Sequence, residues 1–368
     1  MGKSSDYLNF KLTSVSGRYV TNDHIYEFLS TLDESFHLDI LGLSVKKRPI
    51  YGITVGHGPK RIFMWSQMHG NESTTTKTVL DLLNFIKHSS PSTEELLNKV
   101  TLKIIPILNP DGAFNYTRFN ANEVDLNRDA QKRKQPESKI LRKAFDKFAP
   151  HYCFNLHDQR TIFNVGNLNY PATVSFLAPA FDRQRNNSES RTRAMCIIAA
   201  MNQKLQDYIP GQVGRFDDSF NPNCVGDTFQ MQKVPTILFE AGHYQEDYQR
   251  EKTREFIWYA LCTAIRTIAN DEINNFSLNQ YYKIPENNKR YVDILVENAH
   301  VLDNSLNEKD CVSILYKEVL DKDKINFIPT LLEKGFKPGQ YFGHKTLNCL
   351  IDTDANWLRS QEIKDWGY

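Results

Sequence analysis

Apolar positions along residues 1–275 switch repeatedly between two spacings. Residues 50–55 alternate loosely and stop at Gly56-His57-Gly58, a turn. Residues 61–66 carry the unbroken run Ile62-Phe63-Met64-Trp65, which reads as a buried strand. Over 74–86, Val79, Leu82, Leu83 and Ile86 recur at helical spacing. The Ile/Leu/Val-rich segment 100–108 reads as another strand, ended by Asn109-Pro110-Asp111-Gly112, whose composition demands a turn. Residues 138–148 place Leu141, Ala144, Phe145 and Phe148 on one helical face; strands follow at 152–156 and 173–177. A helix at 191–208 aligns Met195, Ile198, Ala199, Asn202 and Leu205, then come a buried strand at 235–239 and a helix at 250–269. Strands alternating with helices predict an α/β domain.

The pattern changes in the polar stretch 270–288. Beyond it, 292–296, 311–319 and 341–351 look strand-like between Asn, Asp, Lys and Gly. The expected organisation is a catalytic α/β domain over 1–275 and a small β-rich domain over 285–368. This tail carries no motif with assignable chemistry. Its histidines, His300 and His344, sit among polar residues and are expected to take no part in a site; a structural or interaction module is the default reading.

Charge narrows the function classes. Among 368 residues, Lys plus Arg number 45 and Asp plus Glu 44, so electrostatics favour neither nucleic acid nor an anionic membrane as partner. The basic run Lys132-Arg133-Lys134 reads as a solvated loop. The six cysteines are scattered without a C-x-x-C pair and read as reduced thiols. No apolar signal region opens the chain, and no run approaches the roughly 18 apolar residues that span a bilayer, so a cytoplasmic location is expected.

The chemistry-bearing residues follow the strands. His69 and Glu72, in His69-Gly70-Asn71-Glu72, come just after the apolar run at 61–66, and His157 ends the strand Phe154-Asn155-Leu156-His157. Ligands bind beyond the carboxyl ends of strands in parallel-rich sheets. Two imidazoles and one carboxylate make a three-ligand set that leaves a position open for water, and two imidazoles favour zinc over magnesium. Glu240 emerges from Thr236-Ile237-Leu238-Phe239, an apolar environment that raises a carboxylate's pKa and suits proton transfer. His243 is expected to be a structural or rim histidine rather than a second metal ligand.

Together with Asn109-Pro110-Asp111-Gly112, Arg118 and Asp125-Leu126-Asn127-Arg128, these residues resemble the zinc metallocarboxypeptidases over about residues 20–270. The resemblance implies a mixed, mostly parallel central sheet flanked by helices, and one zinc ion (Zn2+) per chain on His69, Glu72 and His157. It implies that Asn127 and Arg128 hold a substrate's terminal carboxylate, a role that a planar, always charged guanidinium suits. Arg118 would polarise the scissile carbonyl, Glu240 would act as general base and then acid, and Asp125 would orient a ligand imidazole. A tyrosine lid is expected upstream of Glu240, with Tyr208 the nearest candidate and Tyr244 an alternative. The side-chain pocket is expected near Phe216, Asp217 and Asp218: an inward Phe216 would favour apolar C-terminal residues, an inward aspartate Lys or Arg.

One departure is Asp129, where many family members carry asparagine; its carboxylate either weakens the clamp or faces away. The expected activity is hydrolysis of the C-terminal peptide bond, on a peptide or small acyl-amino-acid substrate with a free carboxylate. Two rivals stand beside it: an amidohydrolase of small N-acyl amino acids, like the aspartoacylase and succinylglutamate desuccinylase group, and a zinc-binding interaction module without catalysis. The Asn109-Pro110-Asp111-Gly112 turn and the separate Arg118 favour the peptidase over the first; retention of Glu240 with Arg118 argues against the second.

Overall fold

The computed structural model describes residues 5–88, 90–364 and 366. Its strands are β1 (Phe36–Leu43), β2 (Pro49–Val55), β3 (Lys60–Ser66), β4 (Val100–Ile105), β5 (Tyr152–Asp158), β6 (Asn164–Val165), β7 (Val174–Leu177), β8 (Val213–Arg215), β9 (Thr236–Ala241), β10 (Asn287–Asn288), β11 (Tyr291–Glu297), β12 (Cys311–Asp321), β13 (Lys324–Phe336) and β14 (Phe342–Asn348). The main sheet runs β1-β2-β4-β3-β5-β9-β7-β8. Its centre, β4, β3, β5 and β9, is parallel; β1, β2 and the β7–β9 pairing are antiparallel.

The unbroken apolar run of β3 is explained by burial on both faces. Ile62 and Met64 join a core with helices Thr74–Lys87, Glu189–Leu205 and Glu251–Ala269, while Phe63 and Trp65 pack with helices Pro136–Phe148 and Val225–Met231 on the other side. A strand covered on both faces needs side chains of one kind throughout. β4 stops at Ile105 rather than near 108 because Pro106 has no N–H to continue the ladder.

A second sheet, β13-β12-β11-β14, gathers its own apolar core around Ile294, Val296, Val312, Ile314, Leu347 and Leu358. The segment before it is not a loose connector: Tyr281, on helix Leu278–Tyr282, and Ile284 are buried in the main core, and β10 pairs with β6. His344 departs from the expectation of a polar loop. It lies on β14, its ring 4.3 Å from that of His243, and its Nε2 is 2.8 Å from the Thr161 carbonyl oxygen. Burial pushes its pKa down to about 4. Among the described residues no helix is long and apolar enough to cross a membrane.

Candidate metal and substrate site

The site lies beyond the carboxyl ends of β3, β5 and β9. After β3 the chain turns sharply at Gln67 (φ 50°), whose Nε2 donates to the carbonyls of Gly70 (2.7 Å) and Val20 (2.8 Å). A Cβ on Gly70 would lie 1.9 Å from the carbonyl carbon of Gly112, so only glycine lets this loop seat on the Asn109-Pro110-Asp111-Gly112 turn. Asn109 completes the joint: its Oδ1 accepts from the Gly112 N–H (2.9 Å) and its Nδ2 donates to the Met68 carbonyl (3.2 Å). This second motif therefore supports the loop that carries His69 and Glu72.

The donor atoms converge. His69 Nδ1 is 2.9 Å from Glu72 Oε1, His157 Nδ1 is 2.8 Å from Glu72 Oε2, and the two Nδ1 atoms face each other at 3.1 Å. One ligand atom from each of the three residues lies within 4.8 Å of the others. His69 Nε2 lies 3.0 Å from Asp125 Oδ1, which favours the tautomer with a bare Nδ1 lone pair. Two imidazole nitrogens facing each other beside a carboxylate form a cation-binding set, and its composition fits zinc.

Asp125 ties this cluster to the residues around it. Its Oδ2 accepts from Arg118 (Nη2, 3.1 Å), and its Oδ1 also accepts from the Asn127 N–H (2.9 Å). Burial alone would raise its pKa; the His69 hydrogen bond and the charges of His69, Arg118 and Arg128 outweigh that and hold it below the usual carboxylate range. Arg118 is half-exposed, and its Nη1 is 3.2 Å from Glu72 Oε1. Asn127 is fixed by the Val225 N–H donating to its Oδ1 (3.0 Å), and Arg128 Nη1 reaches Cys224 Sγ at 3.0 Å. Asp129 faces away: its two oxygens accept from the Lys134 and Gln135 N–H groups at 3.0 and 2.9 Å.

Parallel pairing sets the last group. His157 on β5 is in register with Glu240 on β9, and Asn155 with Leu238. Paired residues point to the same face, and all four line one cleft of about 650 Å³ with His69, Glu72, Arg118, Asn127 and Arg128. Burial pushes the pKa of Glu240 well up, and the negative charges of Glu72 and Asp158 add to it.

Phe216 and Asp217 line the cleft as expected, but three other expectations are corrected. Asp218 is held by Arg191 (2.6 Å) and Arg185 (3.0 Å) and does not reach the cleft. Tyr208 is no lid: its ring is stacked 4.2 Å from Tyr259 of helix Glu251–Ala269. Tyr244 packs on Phe256 of the same helix, and among the described residues no tyrosine lines the cleft. Sequence reasoning missed Asn155, Leu238 and Asp227. The first two were open to a period-two argument, each being two residues before a site residue on its strand. Asp227 had no such signal.

Known proteins are similar to this chain in sequence and fold. The zinc carboxypeptidase family pattern matches residues 23–209. A probable carboxypeptidase 2 of Arthroderma benhamiae is 30% identical over 121 residues, 32% of this chain and 23% of its own. A cytosolic carboxypeptidase 6 of Caenorhabditis elegans is 34% identical over 102 residues, 25% of this chain and 22% of its own. The chain thus spans only about a quarter of the length of these curated relatives. The metallo-carboxypeptidase of Burkholderia cenocepacia shares the fold at a TM-score of 0.55 and 19% identity, over 69% of this chain and 70% of that one. With a family match over half of the sequence, a fold shared with a metallo-carboxypeptidase and a donor set fit for zinc at the strand ends, this chain belongs to the zinc carboxypeptidase family.

Proposed function

We propose that this protein is a zinc-dependent carboxypeptidase that hydrolyses the C-terminal bond of peptides. The observation that carries the reading is the register of β5 and β9, which sets Glu240 beside the ligand His157 in the cleft that also holds Asn127 and Arg128. His69, Glu72 and His157 would hold the metal, which supplies a Lewis acid that polarises a carbonyl and acidifies water. Asn127 and Arg128 bind the terminal carboxylate and place the last peptide bond beside Glu240. Arg118, braced by Asp125, donates hydrogen bonds to the carbonyl oxygen as negative charge develops there. Glu240 takes a proton from the attacking water as the new C–O bond forms and returns it to the amide nitrogen as the C–N bond breaks. Phe216, Asp217 and Asp227 form the pocket for the departing residue's side chain.

We divide the chain into a catalytic part, 1–275, and a β-rich part, 285–368, and place it in the cytoplasm. The six cysteines, all unpaired, support a reducing compartment.

The test compares release of free C-terminal amino acids from a peptide library with deacylation of N-acyl aspartate, in the parent and in Glu240→Gln and Glu72→Gln. Peptide trimming is expected, falling by about 10²–10⁴-fold in Glu240→Gln with zinc retained. Glu72→Gln is expected to lose the metal itself. Deacylation without trimming would replace this reading with the amidohydrolase one, and near-parental turnover in Glu240→Gln would remove the mechanism.

A further inference from the structure

A second cavity of about 350 Å³ adjoins the cleft and shares Glu72, Arg118, Asp158, Gln159 and Arg160 with it. Asn127 and Arg128 line only the cleft. A peptide whose terminal carboxylate sits on those two residues, with its last bond beside Glu72 and Arg118, has to leave on the other side, into this cavity. The direction rests on the carboxypeptidase reading above.

The cavity's far wall comes from the C-terminal sheet. Tyr316 on β12 and Phe327 on β13 pack their rings 5.1 and 5.3 Å from Tyr248. The wall is anchored from both sides. Glu318 of β12 pairs with Arg18 (3.1 Å) and accepts from the Tyr116 hydroxyl. Asp293 of β11 accepts from the Tyr248 hydroxyl (3.0 Å) and the Tyr316 N–H (2.8 Å).

The charges in the cavity are engaged, with one exception. Asp158 accepts from the N–H and hydroxyl of Thr74 at 3.0 and 2.6 Å, and Arg250 donates to the carbonyls of Ala241 and Gln159 at 2.9 and 3.0 Å. Arg160 is exposed where cavity and cleft meet, and it has no hydrogen bond or ion pair to any described residue. A guanidinium with no ion-pair partner at the mouth of the cavity is complementary to a carboxylate brought by a ligand.

We propose that this cavity is the subsite for the residues preceding the scissile bond, that the C-terminal sheet forms its wall, and that Arg160 selects an acidic side chain there. The tail then takes part in specificity, contrary to the sequence-based expectation.

The test uses full-length protein and blocked tripeptides that share a C-terminal residue and carry Glu, Gln or Lys just before it. Hydrolysis is measured in the zinc-loaded parent, and binding by calorimetry in Glu240→Gln. Glu is expected to be preferred over Lys by about tenfold in kcat/KM and in affinity, the scale of one charge-assisted contact. Arg160→Gln should level the series and Arg160→Glu should invert it; zinc content and melting temperature check that both variants fold. In Phe327→Ala, the gain in kcat/KM from adding a second upstream residue should shrink. An unchanged Glu-to-Lys ratio in Arg160→Glu, with trimming intact, overturns the subsite assignment alone. Absence of trimming with the binding order retained overturns the carboxypeptidase reading and leaves only the contact between Arg160 and an acidic side chain standing.

Discussion

Asp227 stands near the start of helix Val225–Met231 and lines the cleft together with Phe216 and Asp217. Burial pushes its pKa up to about 7, while the Asn221 N–H hydrogen bond and the positive charges of Arg128 and Arg191 keep it from rising further. The sign follows directly. An acid with a raised pKa is neutral below that value and charged above it, so the pocket gains a negative charge as pH rises through about 7. The ratio of kcat/KM for a C-terminal Lys substrate over its Leu counterpart should therefore climb from about pH 6 to about pH 8, and Asp227→Asn should flatten the climb. A parent ratio that stays level would show that Asp227 does not face the departing side chain. At this scale the sequence was legible where chemistry follows a strand. His69, His157 and Glu240 each come at the end of an apolar run, and the local pattern alone places them. It was not legible where a distant partner decides. Asp217 and Asp218 are neighbours, yet Arg191 draws only the second out of the cleft, and Tyr208 is removed from lid duty by a ring 51 positions away, Tyr259.

Helix Glu251–Ala269 starts after Arg250, a residue in the left-handed region (φ 60°), and its first N–H groups are satisfied from outside the helix. Asp247 Oδ1 accepts from the Glu251 N–H at 2.8 Å, and Oδ2 accepts from the Lys252 and Thr253 N–H groups at 2.9 and 2.8 Å. A negative charge there also complements the helix dipole. Asp247→Ala should cost on the order of 1–3 kcal/mol by chemical denaturation, with Asp247→Asn losing less because one acceptor oxygen remains. Equal stability of the parent and both variants would show that water replaces the cap. Long elements were readable from the sequence, including this helix and Thr74–Lys87, the latter from Val79, Leu82, Leu83 and Ile86 at helical spacing. β13 was not read at all. It runs 13 residues, carries Pro329 and mixes Lys and Glu with Leu and Ile, a sequence that argues against a central strand. It is an edge strand, where a missing N–H and charged side chains are tolerated.

At the scale of the whole molecule, distant segments are joined by buried polar contacts as well as by the core. Arg254 forms a fully buried ion pair with Asp81 (2.6 Å), Asp81 also accepts from the Tyr7 hydroxyl (2.8 Å), and Arg254 reaches the carbonyls of Leu12 and Val15. The His69, Glu72 and His157 cluster is a second such joint, connecting the loop after β3 to the end of β5 and, through Asp125, to the segment that carries Asn127. Two imidazole Nδ1 atoms 3.1 Å apart, each within 2.9 Å of a Glu72 oxygen, form a donor set that a cation would bridge. Zinc bound there should therefore raise global stability as well as enable catalysis. A ligand that binds only the folded state contributes about 2.7 kcal/mol when its free concentration is a hundred times its Kd. Stripping the metal with a chelator should lower the Tm of the parent by several degrees, and adding zinc back should restore it. The His69→Ala, His157→Ala double variant should start from a lower Tm and respond to neither treatment, because the set that couples metal to fold is gone. Circular dichroism melts with parallel metal analysis read both quantities. A double variant that still gained stability from zinc would place the ion elsewhere in the molecule.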